Sequence, residues 1–260
     1  MRPDTWEKSH RERNYILIEI QKLSKRFGDT LAVNDLTLSI PAGEFFAFLG
    51  PNGAGKTTTL KTVAGLLRPT SGRVLVGGHD MAEENTEANT EAKRLISFIP
   101  DVPYVYEKLT GREFLYFIGE LYTLDRDYYR DEAERLLTLF YMQDYGNQLM
   151  ESYSHGMRQK IVICSALITD PRLIIIDEPM VGLDPKSIRL VKDILRTCAD
   201  RGTTILMSTH TLTLAEEISD RVCIIHRGRL ISEGTVEEIK RSSEETDGLE
   251  DIFLKMTAED

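Results

Sequence analysis

The sequence predicts an α/β fold with a mainly parallel sheet, interrupted by a helical stretch. Three observations carry that expectation. After Pro171, short apolar runs alternate with helical patterns, as they do where parallel strands are joined by helices. From Gly111 to about Ile168 the pattern is continuously helical instead. A Gly-rich run at residues 50–55 follows one apolar strand pattern and precedes a helical one.

Taken in order, residues 1–15 are charged and mixed and are expected to form a flexible leader. Strand patterns follow at Ile16–Ile20, Leu31–Ile40 and Phe45–Leu49, with Pro41-Ala-Gly-Glu as a turn. Lys56–Leu66 reads as a helix ended by Arg-Pro-Thr-Ser-Gly, and Arg73–Val76 as a strand. Residues 82–94 hold the tandem tetrapeptides Asn85-Thr-Glu-Ala and Asn89-Thr-Glu-Ala, which suit an exposed loop or short helix. Leu95–Ile99 is a strand stopped by Pro100. The helical stretch carries Phe114, Tyr116, Phe117, Tyr122, Tyr128, Tyr129, Phe140 and Tyr141, most of them at packing positions. Then come Leu173–Ile176 (strand), Ile188–Ala199 (helix), Thr203–Ser208 (strand), Leu212–Ile218 (helix), Val222–Ile225 (strand) and an acidic helical tail from Val236.

Bulk properties exclude several classes. The formal net charge is −10, the wrong sign for a broad nucleic-acid footprint. The longest apolar runs fall well short of the ~20 residues a membrane span needs. The 3 cysteines, Cys164, Cys198 and Cys223, are too scattered for a metal site and suit buried, reduced thiols. The N-terminus has no apolar stretch of the kind that marks a secretory signal.

Chemistry concentrates in two places. Gly50-Pro51-Asn52-Gly53-Ala54-Gly55-Lys56-Thr57-Thr58 matches the phosphate-loop pattern G-x-x-x-x-G-K-[ST] in full. Its glycines let backbone N–H groups turn toward phosphate oxygens, and the helix that starts there adds its positive end. Lys56 reaches the β- and γ-phosphates, Thr57 offers its hydroxyl to Mg²⁺, and Thr58 adds a phosphate hydrogen bond. The second place is Leu173-Ile-Ile-Ile-Asp177-Glu178-Pro179, where an apolar strand delivers two acids at its C-terminal end. Asp177 suits Mg²⁺ and Glu178 suits a general base that polarises water. A strand ending in two acids is weak evidence alone and strong beside the loop.

With these elements the chain resembles the nucleotide-binding subunits of ATP-binding cassette (ABC) transporters, from about residue 16 to its end. Tyr153-Ser154-His155-Gly156-Met157-Arg158-Gln159 is similar to the signature motif, usually Leu-Ser-Gly-Gly-Gln, with His155 and Met157 departing from it. Val181-Gly-Leu183-Asp184 is similar to the D-loop, and His210 in Ser208-Thr-His-Thr to the switch histidine. Phe27 matches the aromatic residue that stacks on adenine. Asp101 stands where the family usually has the Gln of its Q-loop, and an acid there still approaches Mg²⁺. Pro103-x-x-Tyr106-Glu-x-Leu109-Thr-Gly-Arg-Glu-Phe114, the signature variant and the ending from Leu249 resemble the branch that serves ABC-2-type exporters.

The resemblance implies a P-loop NTPase fold with an N-terminal antiparallel β subdomain. It implies an ATPase domain over residues 16–240, a helical subdomain over about 102–168 and a C-terminal helical tail over 241–260. It implies ATP and Mg²⁺ as ligands, and Glu178, His210 and Lys56 as catalytic groups. Phe27, residues 50–58, Ser154, Gly156 and Asp184 would contact nucleotide, and Thr57, Asp177 and Asp101 the metal. Two ATPase subunits, identical or not, would pair head to tail. A transmembrane permease would hold them at the cytoplasmic face of the membrane, its contact starting at Tyr104. A soluble ABC ATPase acting on ribosomes or DNA is the alternative. It is disfavoured by the single cassette and by the short stretch between Asp101 and the signature.

Overall fold

The computed structural model describes residues 15–83 and 87–242. Residues 1–14 of the leader, Asn85 and Thr86 of the first repeat, and the tail beyond residue 242 with its ending from Leu249 lie outside the described residues.

Two sheets form the frame. The first has the order β2-β1-β4-β5, with β1 (Ile16–Phe27), β2 (Thr30–Pro41), β4 (Ser71–Val76) and β5 (His79–Asp80) all antiparallel. The second has the order β10-β9-β3-β8-β7-β6. Its strands are β3 (Phe45–Leu49), β6 (Ile96–Ile99), β7 (Leu173–Asp177), β8 (Thr204–Thr209), β9 (Arg221–His226) and β10 (Arg229–Gly234). All its pairs are parallel except the β9–β10 hairpin. The expected α/β fold with a mainly parallel core is therefore present.

The central strands are unbroken apolar runs because both sheet faces are covered. Successive side chains point to opposite faces. Phe45, Ala47, Leu49, Ile174, Ile176, Ile205 and Met207 enter one core, with the helices that follow β6 and β7. Phe46, Phe48, Leu173, Ile175 and Leu206 enter the other, with β1, β2 and the helix after the Gly-rich loop.

Helices occupy both flanks: α1 (Lys56–Val63), α2 (Glu87–Arg94), α3 (Gly111–Leu121), α4 (Arg126–Leu139), α5 (His155–Leu167), α6 (Pro185–Asp200), α7 (Leu212–Ile218) and α8 (Val236–Ser242). Helix α1 ends three residues before the expected Leu66. Gly65 takes a left-handed φ of 69°. Its N–H donates to Thr62 O and that of Leu66 to Lys61 O, the paired bonds of a Schellman stop. The continuous helical pattern after Gly111 resolves into α3, α4 and α5, separated by turns and two short 3₁₀ segments. Thr110 and Glu113 open α3 with a reciprocal capping box. Of the eight aromatics in that stretch, Phe114, Tyr129 and Phe140 are buried, Tyr116 and Tyr128 pack against the same core, Tyr122 is half-buried, and Phe117 and Tyr141 are exposed. Cys164 and Cys223 are buried and Cys198 is half-buried, all free.

Candidate functional site

Strands β3, β7 and β8 run parallel and end at one edge, so the groups that follow them meet. After β3 comes the Gly-rich loop. Gly53 and Gly55 have φ of 81° and 103°, which turns the backbone into α1. Gly55 caps α1 without a side chain, leaving the first amides of the helix free for a ligand. The loop is wedged from behind: a Cβ on Gly50 would meet Ile225 O at 2.5 Å, and one on Gly55 would meet Ala32 O at 2.4 Å. Gly228 N–H also donates to Ala54 O at 2.9 Å.

Lys56 is buried, with Nζ donating to Gly50 O at 2.7 Å and Pro51 O at 3.2 Å. Burial lowers its pKa, and the charges of Glu178 and Asp177 oppose that shift. An anion entering the cleft would relieve this cost.

After β7 come the two acids. Asp177 is 1% exposed and accepts a hydrogen bond from Ser208 Oγ on β8. Its other oxygen, Oδ2, is buried without a partner. The chain then takes a left-handed turn at Glu178, φ 48°, which is strained for a residue with a side chain. That turn sends consecutive side chains in different directions. Glu178 Oε1 lies 3.7 Å from Lys56 Nζ and 3.0 Å from Nδ1 of His210, which follows β8. Neither contact is a hydrogen bond, so Oε1 is buried and still open to a better donor.

A cleft of about 310 Å³ opens over this edge. Phe27, Pro51, Asn52, Gly53, Ala54, Gly55, Lys56, Thr57, Thr58, Asp101 and Glu178 line it. Thus most of the residues singled out from sequence face one space. Gly50 and Asp177 lie beneath it, and His210 flanks Glu178. Phe27, at the end of β1, is about half exposed, with Lys25 Nζ 5.1 Å from its ring centroid. An exposed aromatic ring at the rim of a cleft floored by the Gly-rich loop suits a stacked base.

Ser154, Gly156 and Asp184 do not line this cleft. They gather elsewhere. Ser154 caps α5 by accepting from Met157 N–H at 3.3 Å. A Cβ on Gly156 would lie 2.8 Å from Gly182 O, and one on Gly182 would meet the His155 ring at 2.2 Å. Asp184 caps α6 through Ser187 and lies 3.7 Å from Lys160 Nζ. These bonds hold its carboxyl well below the usual range, to about 2. The segments around Ser154 and Asp184 therefore form a second, exposed cluster apart from the cleft.

Ser208 is not singled out by sequence alone. A serine in an apolar strand carries no signal by itself, and its place two residues before His210 is the only hint. The register pairs it directly with Asp177.

A family model described as "ABC transporter" matches residues 33–181, more than half of the chain. The chain is 40% identical over 225 residues to the daunorubicin/doxorubicin resistance ATP-binding protein DrrA of Streptomyces peucetius, covering 86% of this chain and 67% of that protein. It is 36% identical over 242 residues to the ABC transporter ATP-binding protein NatA of Bacillus subtilis, covering 92% and 97%. A solved ATP-binding subunit of an ABC transporter superposes with a TM-score of 0.86 at 32% identity, covering 92% of this chain and 99% of that one. A dimeric cassette in a post-hydrolysis state, bound to ADP and Pi, shares the fold with a TM-score of 0.77 at 24% identity, covering 84% and 98%.

Proposed function

This chain belongs to the ABC transporter family as an ATP-binding, ATP-hydrolysing subunit, and from that premise we propose how its residues divide the work. The loop amides of residues 53–58 and the Lys56 ammonium hold the β- and γ-phosphates. Phe27 stacks on the adenine. Glu178 orients a water in line with the γ-phosphate and takes its proton. His210 holds Glu178 in place and donates to the γ-phosphate.

The donor set at the cleft floor suits Mg²⁺, which prefers one or two carboxylates plus substrate phosphates. Thr57, Asp177 and Asp101 would hold it, and the unpartnered Oδ2 of Asp177 is the observation that supports this fit. When bound, the ion supplies positive charge against the phosphate oxygens.

Ser154, Gly156 and Asp184 are exposed or half-buried and do not line their own chain's cleft, which supports a head-to-tail pair of subunits, each completing the other's site. The partner copy is this chain or a similar one. No helix among the described residues is long and apolar enough to cross a membrane. Beside Asp101, Val102, Tyr104 and Tyr106 are exposed, and the Tyr106 ring stacks edge-on against exposed Phe117 at 5.6 Å. We infer that this patch seats a transmembrane permease and holds the subunit at the cytoplasmic face of the membrane. Export as the direction is supported by relatives named for it, the SkfA peptide export ATP-binding protein SkfE of Bacillus subtilis and the Nod factor export ATP-binding protein I of Burkholderia lata.

The single observation that carries the catalytic reading is Glu178 Oε1 set between Lys56 and His210. Replacing Glu178 with Gln tests it: ATP binding persists while turnover falls by about 10²–10⁴-fold, the usual worth of a positioned base. Full turnover in that variant would remove Glu178 from the role.

A further inference from the structure

Ser208 touches both acids of the site. It is the Cα partner of Asp177 across the parallel β7–β8 pair. It is fully buried, as Asp177 is. Its hydroxyl donates to Asp177 Oδ1. The same hydroxyl accepts from the Glu178 N–H at 3.3 Å, and Ser208 O accepts from that N–H at 3.2 Å. A serine hydroxyl has one proton to give. Here it goes to Asp177, and the approach of the Glu178 amide sets the direction from which it comes.

The consequence for Asp177 is a choice between its two oxygens. The terminal torsion of an aspartate is broad and settles only where its oxygens find partners. With Oδ1 tied to β8, Oδ2 is left buried and without a donor. An acceptor in that state is costly unless something binds it.

We propose that Ser208 is a positioning residue for the metal site. Its hydroxyl fixes the rotation of the Asp177 carboxylate so that Oδ2 is the oxygen turned to Mg²⁺. Through the shared Glu178 N–H it also sets the start of the turn that carries the base. This inference rests on the reading of Asp177 as the Mg²⁺ acid. Removing an outer partner of a metal-binding carboxylate commonly costs about 10–100-fold in metal affinity.

The test uses the full chain with Ser208→Ala. Binding of a fluorescent ATP analogue is titrated in EDTA, then against free Mg²⁺. The metal-free affinity is expected to stay within about twofold of wild type. The Mg²⁺ concentration giving half of the metal-dependent gain is expected to rise about 10–100-fold. A Ser208→Thr chain, which keeps the hydroxyl, should retain the wild-type half-point. A merely structural serine would lower thermal stability without moving it. An unchanged half-point in Ser208→Ala overturns the proposal, and so does an equal rise in Ser208→Thr. Asp177→Asn separates the two levels. If that variant keeps the full Mg²⁺ gain, the metal reading of Asp177 itself fails. If it loses the gain while Ser208→Ala does not, only the role of Ser208 fails. Should Ser208→Ala not fold, Ser208→Cys, nearly isosteric and a weak donor, takes its place: a raised half-point supports the role of Ser208 and an unchanged one overturns it.

Discussion

Alanine at Gly53 and at Gly55 makes the same chemical change two residues apart in one loop, with very different expected results. Both glycines are left-handed, with φ of 81° and 103°. A side chain in that region costs about 1–2 kcal/mol. Around Gly53 there is nothing within 4 Å of an added Cβ, so the backbone term stands alone. For a domain of this size that is a fall of roughly 2–8 °C in Tm. At Gly55 the added Cβ would sit 2.4 Å from Ala32 O, a backbone atom of β2. Neither strand nor loop has a flexible side chain there to swing aside. Overpacking of this kind adds about 1–3 kcal/mol, giving about 2–5 kcal/mol in all and roughly 4–20 °C. The displacement also moves the start of α1, so Gly55→Ala should lose ATP binding. Thermal melts of the two variants and a nucleotide titration decide it. If Gly55→Ala melts within a degree or so of Gly53→Ala and still binds ATP, the wedge between loop and β2 is not what shapes the site.

Other consequences follow from the same geometry. Phe27→Ala should weaken ATP binding by about 1–3 kcal/mol, roughly 5–150-fold, while Phe27→Trp retains it, as stacking requires; equal affinity in all three would move the base elsewhere. The Asp184 carboxyl is depressed to about 2 by Ser187, below its unfolded value of 3.8. Its contribution to stability is therefore complete above pH ~4 and lost as pH falls toward ~2. Asp184→Asn should flatten the acid limb of a stability titration in that window, and an unchanged limb would contradict the cap. Burial raises the thiols of Cys164 and Cys223 far from reactivity, and that of Cys198 less completely. A thiol reagent at pH 8 should leave Cys164 and Cys223 unlabelled until denaturant is added, as mass spectrometry of labelled peptides would show.

Much of this was legible in the sequence, for physical reasons. Strands covered on both faces must be apolar throughout, so Phe45–Leu49 and Leu173–Ile176 stood out with nearly their observed bounds. The Gly-rich loop declares itself because its backbone needs glycine. What stayed hidden has equally local causes. β1 runs to Phe27, past the expected Ile20, because a register shift between Ile20 and Leu23 breaks the alternation there. Lys22 is left-handed at φ 49°, which no charge or hydropathy pattern announces. β10 is an edge strand with alternating exposed and half-buried residues, too polar to be noticed. The strand order of the second sheet has no trace in a linear pattern. For the same reason the pairing of Ser208 with Asp177 was invisible: it depends on register between strands far apart in sequence.

The central claim is that this subunit carries half of each ATP site, with residues 50–58 on one face and Ser154 and Gly156 on another. Sedimentation of the Glu178→Gln chain, with and without ATP and Mg²⁺, tests it most directly. The account predicts a monomer that becomes a dimer when ATP is added, and a return to monomer when Ser154→Arg is introduced on the same background. A Glu178→Gln chain that binds ATP fully and stays monomeric, or a dimer indifferent to Ser154→Arg, would contradict it.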